Sequence, residues 1–185
     1  MNPWEKCNEV RRGENGWEGQ TADGPPIAGI TCFDETRAPE ECAALAWHLE
    51  ENTRLLYLAM AGIPSEPEDG AIFLELAADE EHHREFLAEV YRRYSHSSSS
   101  IPAFPGQGRS LEGGMDLEEA LQWIGKKQVA DILELALSIE ANAYDRYLKM
   151  LRKVKDESSR AIFRLIAGEE RSHLKRLTSL LDKKL

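Results

Sequence analysis

The sequence predicts an all-α fold: a four-helix bundle made of two antiparallel helical hairpins joined by a long crossover. Three observations carry this expectation. Four segments of more than 20 residues keep apolar side chains at helical spacing. The link inside each pair of segments is only a few residues, whereas the link between the pairs exceeds 30 residues. Chemically distinctive residues of the second pair repeat those of the first at a constant offset of 90 positions.

Residues 1–37 contain Gly13, Gly16, Gly19, Gly24, Pro25, Pro26 and Gly29, which break any helical period, so an extended arm or linker is expected there. Residues 38–185 form the bundle, with its crossover at 95–128. The first helix is expected over 39–61, with Pro39 in its first turn and Glu40 and Glu41 complementing the positive end of the helix dipole. The second is expected over 67–94, with Ser65 as N-cap. Residues 62–66 between them leave room only for a hairpin loop. The crossover opens with the Ser-, Gly- and Pro-rich stretches 96–100 and 102–114. A short helix over 116–126 follows, with Asp116 as N-cap and Glu119 completing a capping box. Trp123 is expected to cover one face of the bundle. The third long helix is expected over 129–153 and the fourth over 157–183, the latter capped by Asp156. A connection of this length can run from one end of a bundle to the other, since a 20-residue helix is about 30 Å long.

Composition narrows the partners. The chain has 185 residues, 42% of them hydrophobic, enough for one core at this length. It carries 33 acidic against 23 basic residues, a net charge of -10, which disfavours nucleic acid and anionic membranes as partners. No run approaches the length of a membrane-spanning helix, and Met1 to Lys6 show no apolar signal-like segment. A cytoplasmic protein is the expectation. Cys7, Cys32 and Cys42 form no CxxC pair, so neither a disulfide framework nor a thiolate metal site is indicated.

The acids are not all expected at the surface. On the fourth long helix Ile166, Glu170, His173, Leu177 and Leu180 follow one face; on the second, Leu76, Glu80, His83 and Leu87 take the same steps. Each presents Glu-x-x-His on an apolar stripe, so both side chains can reach a common point. Glu50 shares a face with Trp47, Thr53 and Tyr57, and Glu140 with Leu133, Leu137, Tyr144 and Tyr147. The 90-residue offset relates Glu50 to Glu140, Glu80 to Glu170, His83 to His173, Tyr57 to Tyr147 and Asn52 to Asn142. Ile72 and Ile162, Phe73 and Phe163, and Ala77 and Ala167 obey it too. Four carboxylates meeting in a bundle core need compensation, because burying each ion costs several kcal/mol. Two divalent cations cancel four carboxylates, and oxygen and imidazole donors without thiolate suit iron, manganese or zinc. One Glu from each of two helices plus Glu-x-x-His from each of two others is the ligand set of di-iron carboxylate bundles.

Glu51, Glu81, Glu169 and His82 fall off the seam or outside the repeat and are expected on solvated faces, with His48 and His96 on the surface. Tyr57 and Tyr147, each seven residues after an acid of the set, are expected to hydrogen-bond metal-bound carboxylates.

Leu49-Glu50 through Tyr57, Leu76 to His83, Ile139-Glu140 through Tyr147 and Ile166 to His173 together resemble the rubrerythrin-type members of the ferritin-like superfamily over residues 38–183. The resemblance implies a ferritin-like bundle with a non-haem di-iron centre that reacts with hydrogen peroxide or dioxygen, in a homodimer. It implies Glu50 and His83 as terminal ligands of one iron, Glu140 and His173 as terminal ligands of the other, and Glu80 and Glu170 as bridges. The chain departs from that pattern in two places. The family's additional Glu, three residues after the third-helix ligand, is replaced by Ala143, and no rubredoxin-like pair of CxxC motifs is present, so electrons must come from a separate donor protein. Residues 13–30 are similar to the end of a rhodanese domain and the linker of rhodanese–rubrerythrin fusions, without the rhodanese catalytic loop. The expected function is a rubrerythrin-like oxidoreductase reducing peroxide or dioxygen. The alternative is a non-redox protein that binds or stores iron, zinc or manganese.

Overall fold

The computed structural model describes residues 38–95, 101, 109–112, 114–153 and 155–183. Residues 1–37, where an extended arm with Cys7, Cys32 and the rhodanese-like stretch is expected, lie outside the described residues, as do His96 and most of the Ser-, Gly- and Pro-rich connection. Among the described residues there are five helices and no strand: α1 Pro39–Ala61, α2 Pro67–Ser95, α3 Leu117–Ile124, α4 Val129–Lys153 and α5 Glu157–Leu181. Helix α1 packs along α2 and α4 along α5, and α1 and α2 each also touch α5. The architecture is the expected all-helical bundle of two hairpins, with α3 in the crossover. No helix among the described residues is long and apolar enough to cross a membrane.

Local chemistry explains the boundaries. At the start of α1 the Glu41 carboxylate accepts from the backbone N–H of Ala38, 3.2 Å away. Helix α2 begins at Pro67, so Ser65 sits one residue outside the cap position, and the first turn is closed by Asp69 N–H donating to the Glu66 carbonyl. The turn between α1 and α2 is tight. A Cβ at Gly70 would lie 2.6 Å from the carbonyl oxygen of Ala61, so only glycine lets the two helix ends approach this closely. Asp116 caps α3 by accepting from Glu118 and Glu119 N–H, and Asp156 caps α5 by accepting from Ser159 N–H.

The core is two apolar clusters. One contains Leu56, Tyr57, Met60, Phe73, Leu76, Ile132, Leu133 and Leu177, together with Leu117, Ala120 and Ile124 of α3. The other contains Cys42, Ala46, Leu87, Ala143, Tyr147, Phe163 and Ile166. Each long helix passes from one cluster to the other at a buried glutamate: Glu50, Glu80, Glu140 or Glu170. The acids therefore form a polar layer across the bundle. Trp123 is only half-buried at the edge of the first cluster, with the Lys127 ammonium 4.5 Å over its ring.

Candidate metal centre

Helical periodicity places the polar layer. On each helix the glutamate follows the apolar stripe, so burying that stripe carries the carboxylate inward with it. Glu50, Glu80, Glu140, Glu170 and His173 are fully inaccessible and His83 is nearly so. The histidines face each other across the layer, with ring centroids 5.7 Å apart. His83 Nδ1 lies 3.1 Å from Glu50 Oε2 and 3.0 Å from Glu80 Oε2. His173 Nδ1 lies 3.2 Å from Glu140 Oε2 and 3.5 Å from Glu80 Oε1. Three groups can each bring one donor atom per residue within 4.8 Å of the others: Glu50, Glu80 and His83; Glu80, Glu140 and His173; and Glu50, Glu112 and Glu170. All six residues expected from the sequence meet in this layer, and Glu50 and Glu80 are each common to two groups.

The layer has more acceptors than donors. Among the described residues, Glu50 Oε1, Glu80 Oε1, Glu112 Oε2 and both oxygens of Glu170 are buried without a hydrogen-bond partner. Orphaned buried carboxylate oxygens are rare because each forfeits its hydration. Burial, reinforced by neighbouring carboxylates, pushes Glu50, Glu80 and Glu170 well above the usual carboxylate range. Glu140 goes the other way: burial opposes its charge, but His173 beside it holds it down to about 2. Burial likewise opposes the charge on His173, yet Glu140 and Asp79 bring it up to about 11. Cations at the layer would satisfy the orphaned oxygens and relieve the carboxylate repulsion, so the residues present fit a metal-binding centre with oxygen and imidazole donors.

Two participants escaped the sequence analysis. The first is Glu112, 1% exposed, which enters the layer from the crossover. The second is Asp79, whose Oδ2 is 3.6 Å from His173 Nε2 and which also accepts from the Arg176 guanidinium. At that distance the contact with the imidazole is electrostatic rather than a hydrogen bond. His173 and Arg176 together hold the Asp79 carboxyl well below its ordinary range. A carboxylate behind a ligating imidazole fixes the ring's orientation. Asp79 was visible as the neighbour of Glu80, but only the packing of α2 on α5 brings it to His173.

The tyrosines divide. Tyr57 Oη donates to Glu140 Oε1, as expected for a hydrogen bond to one of the six residues. Tyr147 Oη donates instead to Glu112 Oε1. The flanking polar residues lie where solvated faces were expected, with two refinements. Glu51 and Glu81 pair with Arg54 and Arg84 along the α1–α2 surface, at 2.8 Å for Arg54–Glu51 and 2.5 Å for Arg84–Glu81. His48 is half-buried, packed edge-on against Trp47, while His82 and Glu169 are exposed.

The fold and the layer define a class: a helical bundle whose core holds carboxylates and imidazoles able to bind metal. Within that class, residues 131–184 match the Rubrerythrin family model. That stretch covers most of α4 and all of α5, including Glu140, Glu170 and His173. With the buried Glu and His groups it supports a rubrerythrin or ferritin-like relationship and fits iron binding. Among solved structures the chain resembles a hypothetical protein from Pyrococcus furiosus. The two share 21% identity over 78% of this chain and 89% of that one, with a TM-score of 0.58, a likeness of fold. No curated protein matches the sequence.

Proposed function

We propose that the protein is a non-haem di-iron carboxylate oxidoreductase of rubrerythrin-like type, reducing hydrogen peroxide or dioxygen with electrons from a separate donor protein. The observation that supports this most directly is the buried layer of six convergent ligands with orphaned carboxylate oxygens. In this reading Glu50, Glu80, His83, Glu140, Glu170 and His173 would hold two ions, Glu50 and His83 serving one, Glu140 and His173 the other, and Glu80 and Glu170 both. Glu80 has a place in the donor groups of both histidines, which suits a carboxylate between two ions. Bound ferrous ions would supply electrons and Lewis acidity toward an O–O bond. The chain's own part is to position and to seal. Tyr57 fixes one carboxylate oxygen of Glu140 by hydrogen bonding, Asp79 orients His173, and the two apolar clusters exclude bulk water on either side. Reduction of one peroxide takes two electrons and two protons and yields two waters, so the donor must deliver two electrons per turnover. A homodimer in the cytoplasm belongs to the same proposal.

The test is anaerobic loading followed by rapid mixing with peroxide. Two irons per chain, oxidised much faster than free ferrous ion, would support the reading. Oxidation no faster than free ferrous ion would reject redox turnover and leave the non-redox reading, a protein that binds or stores iron, zinc or manganese. That second reading draws on Ala143, which is fully buried and adds no second carboxylate from α4 to the layer.

A further inference from the structure

We propose that Glu112 is a seventh protein ligand of the metal centre, delivered by the crossover, so that loading the centre also locks the crossover onto the bundle. The proposal rests on the di-metal reading above and extends it to a residue outside the four-helix repeat.

The segment 109–117 is built to insert this side chain. Leu111 N–H donates to the Met115 carbonyl at 2.7 Å and Gly114 N–H to the Leu111 carbonyl at 2.9 Å. Gly114 takes a φ of 90°, a conformation that disfavours any side chain. Leu117 N–H donates to the Arg109 carbonyl, closing the base of the turn. Leu111, Met115 and Leu117 are fully buried in the first apolar cluster. Two side chains of α1 grip the turn's backbone: Asn52 Nδ2 donates to the Ser110 carbonyl at 2.9 Å, and Glu112 N–H donates to Thr53 Oγ1 at 3.1 Å. The Glu112 carboxylate is thereby held in the core with Oε1 accepting from Tyr147 and Oε2 without a hydrogen-bond partner among the described residues.

Its surroundings point to a cation. Glu112, Glu50 and Glu170 can bring one oxygen each within 4.8 Å of one another, and each of the three has a buried oxygen without a hydrogen-bond partner among the described residues. Three carboxylates this close repel unless a cation sits among them. Glu50 also belongs to the donor group with His83, so Glu112 would complete the ion on that side of the layer. The ligand set becomes five carboxylates and two imidazoles.

The experiment uses cobalt(II) added to the metal-free full-length chain, comparing wild type with Glu112→Gln, which keeps the size and an oxygen acceptor for Tyr147. Three quantities are read: cobalt bound per chain, the cobalt d–d absorption spectrum, and the rate of tryptic cleavage after Arg109. Wild type should bind two cobalt ions and become protected at the Arg109–Ser110 bond. Glu112→Gln should bind the second ion at least about tenfold more weakly, show a changed d–d spectrum, and gain no protection from cobalt. Thr53→Val, which releases the backbone grip while retaining the carboxylate, should also weaken the second ion. It serves in place of Glu112→Gln if that variant does not fold. If wild type binds two ions and both variants match it in stoichiometry, affinity and spectrum, Glu112 is not a ligand and the six-residue centre stands without it. If wild type binds none, the di-metal reading itself falls and the proposal with it.

Discussion

The two hairpins descend from one pattern, and their differences are more instructive than their likeness. In both, Glu-x-x-His projects from the second helix and a lone Glu from the first, and each histidine Nδ1 sits at about the same distance from the lone Glu, 3.1 Å for His83–Glu50 and 3.2 Å for His173–Glu140. In both, the tyrosine stacks on its partner phenylalanine: Tyr57 on Phe73 and Tyr147 on Phe163. The halves part at the crossover. The repeat relates Tyr57–Glu140 to a Tyr147–Glu50 bond, but Tyr147 is bonded to Glu112. Asn52 and Thr53 hold the crossover turn, whereas their repeat counterparts are Asn142, whose buried Nδ2 has no partner among the described residues, and Ala143, an apolar core residue. A two-fold pattern of ligands thus sits in an asymmetric frame. The asymmetry arises because one crossover can dock against only one of two equivalent helix faces.

The largest effects should fall where the halves are equivalent. Glu80→Ala and Glu170→Ala should each abolish stoichiometric binding of two metals, measured by elemental analysis after anaerobic purification. Unchanged content in both would remove the site. Next in size is the pH dependence of the metal-free protein. Burial and neighbouring acids raise Glu50, Glu80 and Glu170 above the ordinary 4.5, so the stability tied to their protonation is complete below that value and is lost as pH rises. His83 and His173 are raised from 6.5, and His173 to about 11, so their contribution also fades with rising pH. Metal-free protein should therefore lose thermal stability steadily as pH rises from about 5 into the alkaline range. Metal binding requires deprotonated carboxylates, so the stabilisation gained on loading should grow over the same range. A rising or flat Tm for the metal-free chain would contradict this account.

Smaller effects separate the halves. Asp79→Asn should weaken metal binding about 10–100-fold through His173. The equivalent position behind His83 is Glu169, which is exposed, so Glu169→Gln should leave affinity unchanged. Equal losses in the two variants, measured by calorimetric titration, would erase the distinction. Tyr57→Phe should destabilise the metal-free fold by about 1–3 kcal/mol by leaving a buried carboxylate oxygen of Glu140 without its donor. Denaturant unfolding reads that loss. The smallest contrast is Asn52→Ala against Asn142→Ala. The first should cost about 1 kcal/mol and the second close to nothing, because only Asn52 has a crossover carbonyl to hold.

Much of this was legible in the chain. Helix ends followed from Pro39, Asp116 and Asp156, and the second and fifth helices end within two residues of the expected positions. The polar layer was legible because the apolar period itself turns Glu50, Glu80, Glu140 and Glu170 inward, and the repeat picks them out from a total of 33 acids. Glu112 was not legible, since it lies in a Gly-rich connection with no period to assign it a face. The only hint was Leu111, Met115 and Leu117, apolar residues clustered in what otherwise reads as loop. The acidic balance disfavoured nucleic acid, but composition could not reveal that a fifth acid of the polar layer belongs to the crossover.

By itself, then, the sequence determined the helices, their pairing and the six-residue polar layer, because these follow from short-range periodicity and from spacing inside each hairpin. Only the tertiary structure decided which residues complete that layer. Glu112 and Asp79 reach it through contacts between segments distant in sequence: the turn gripped by Asn52 and Thr53, and the packing of α2 against α5. Such contacts are set by three-dimensional packing, which no local pattern encodes.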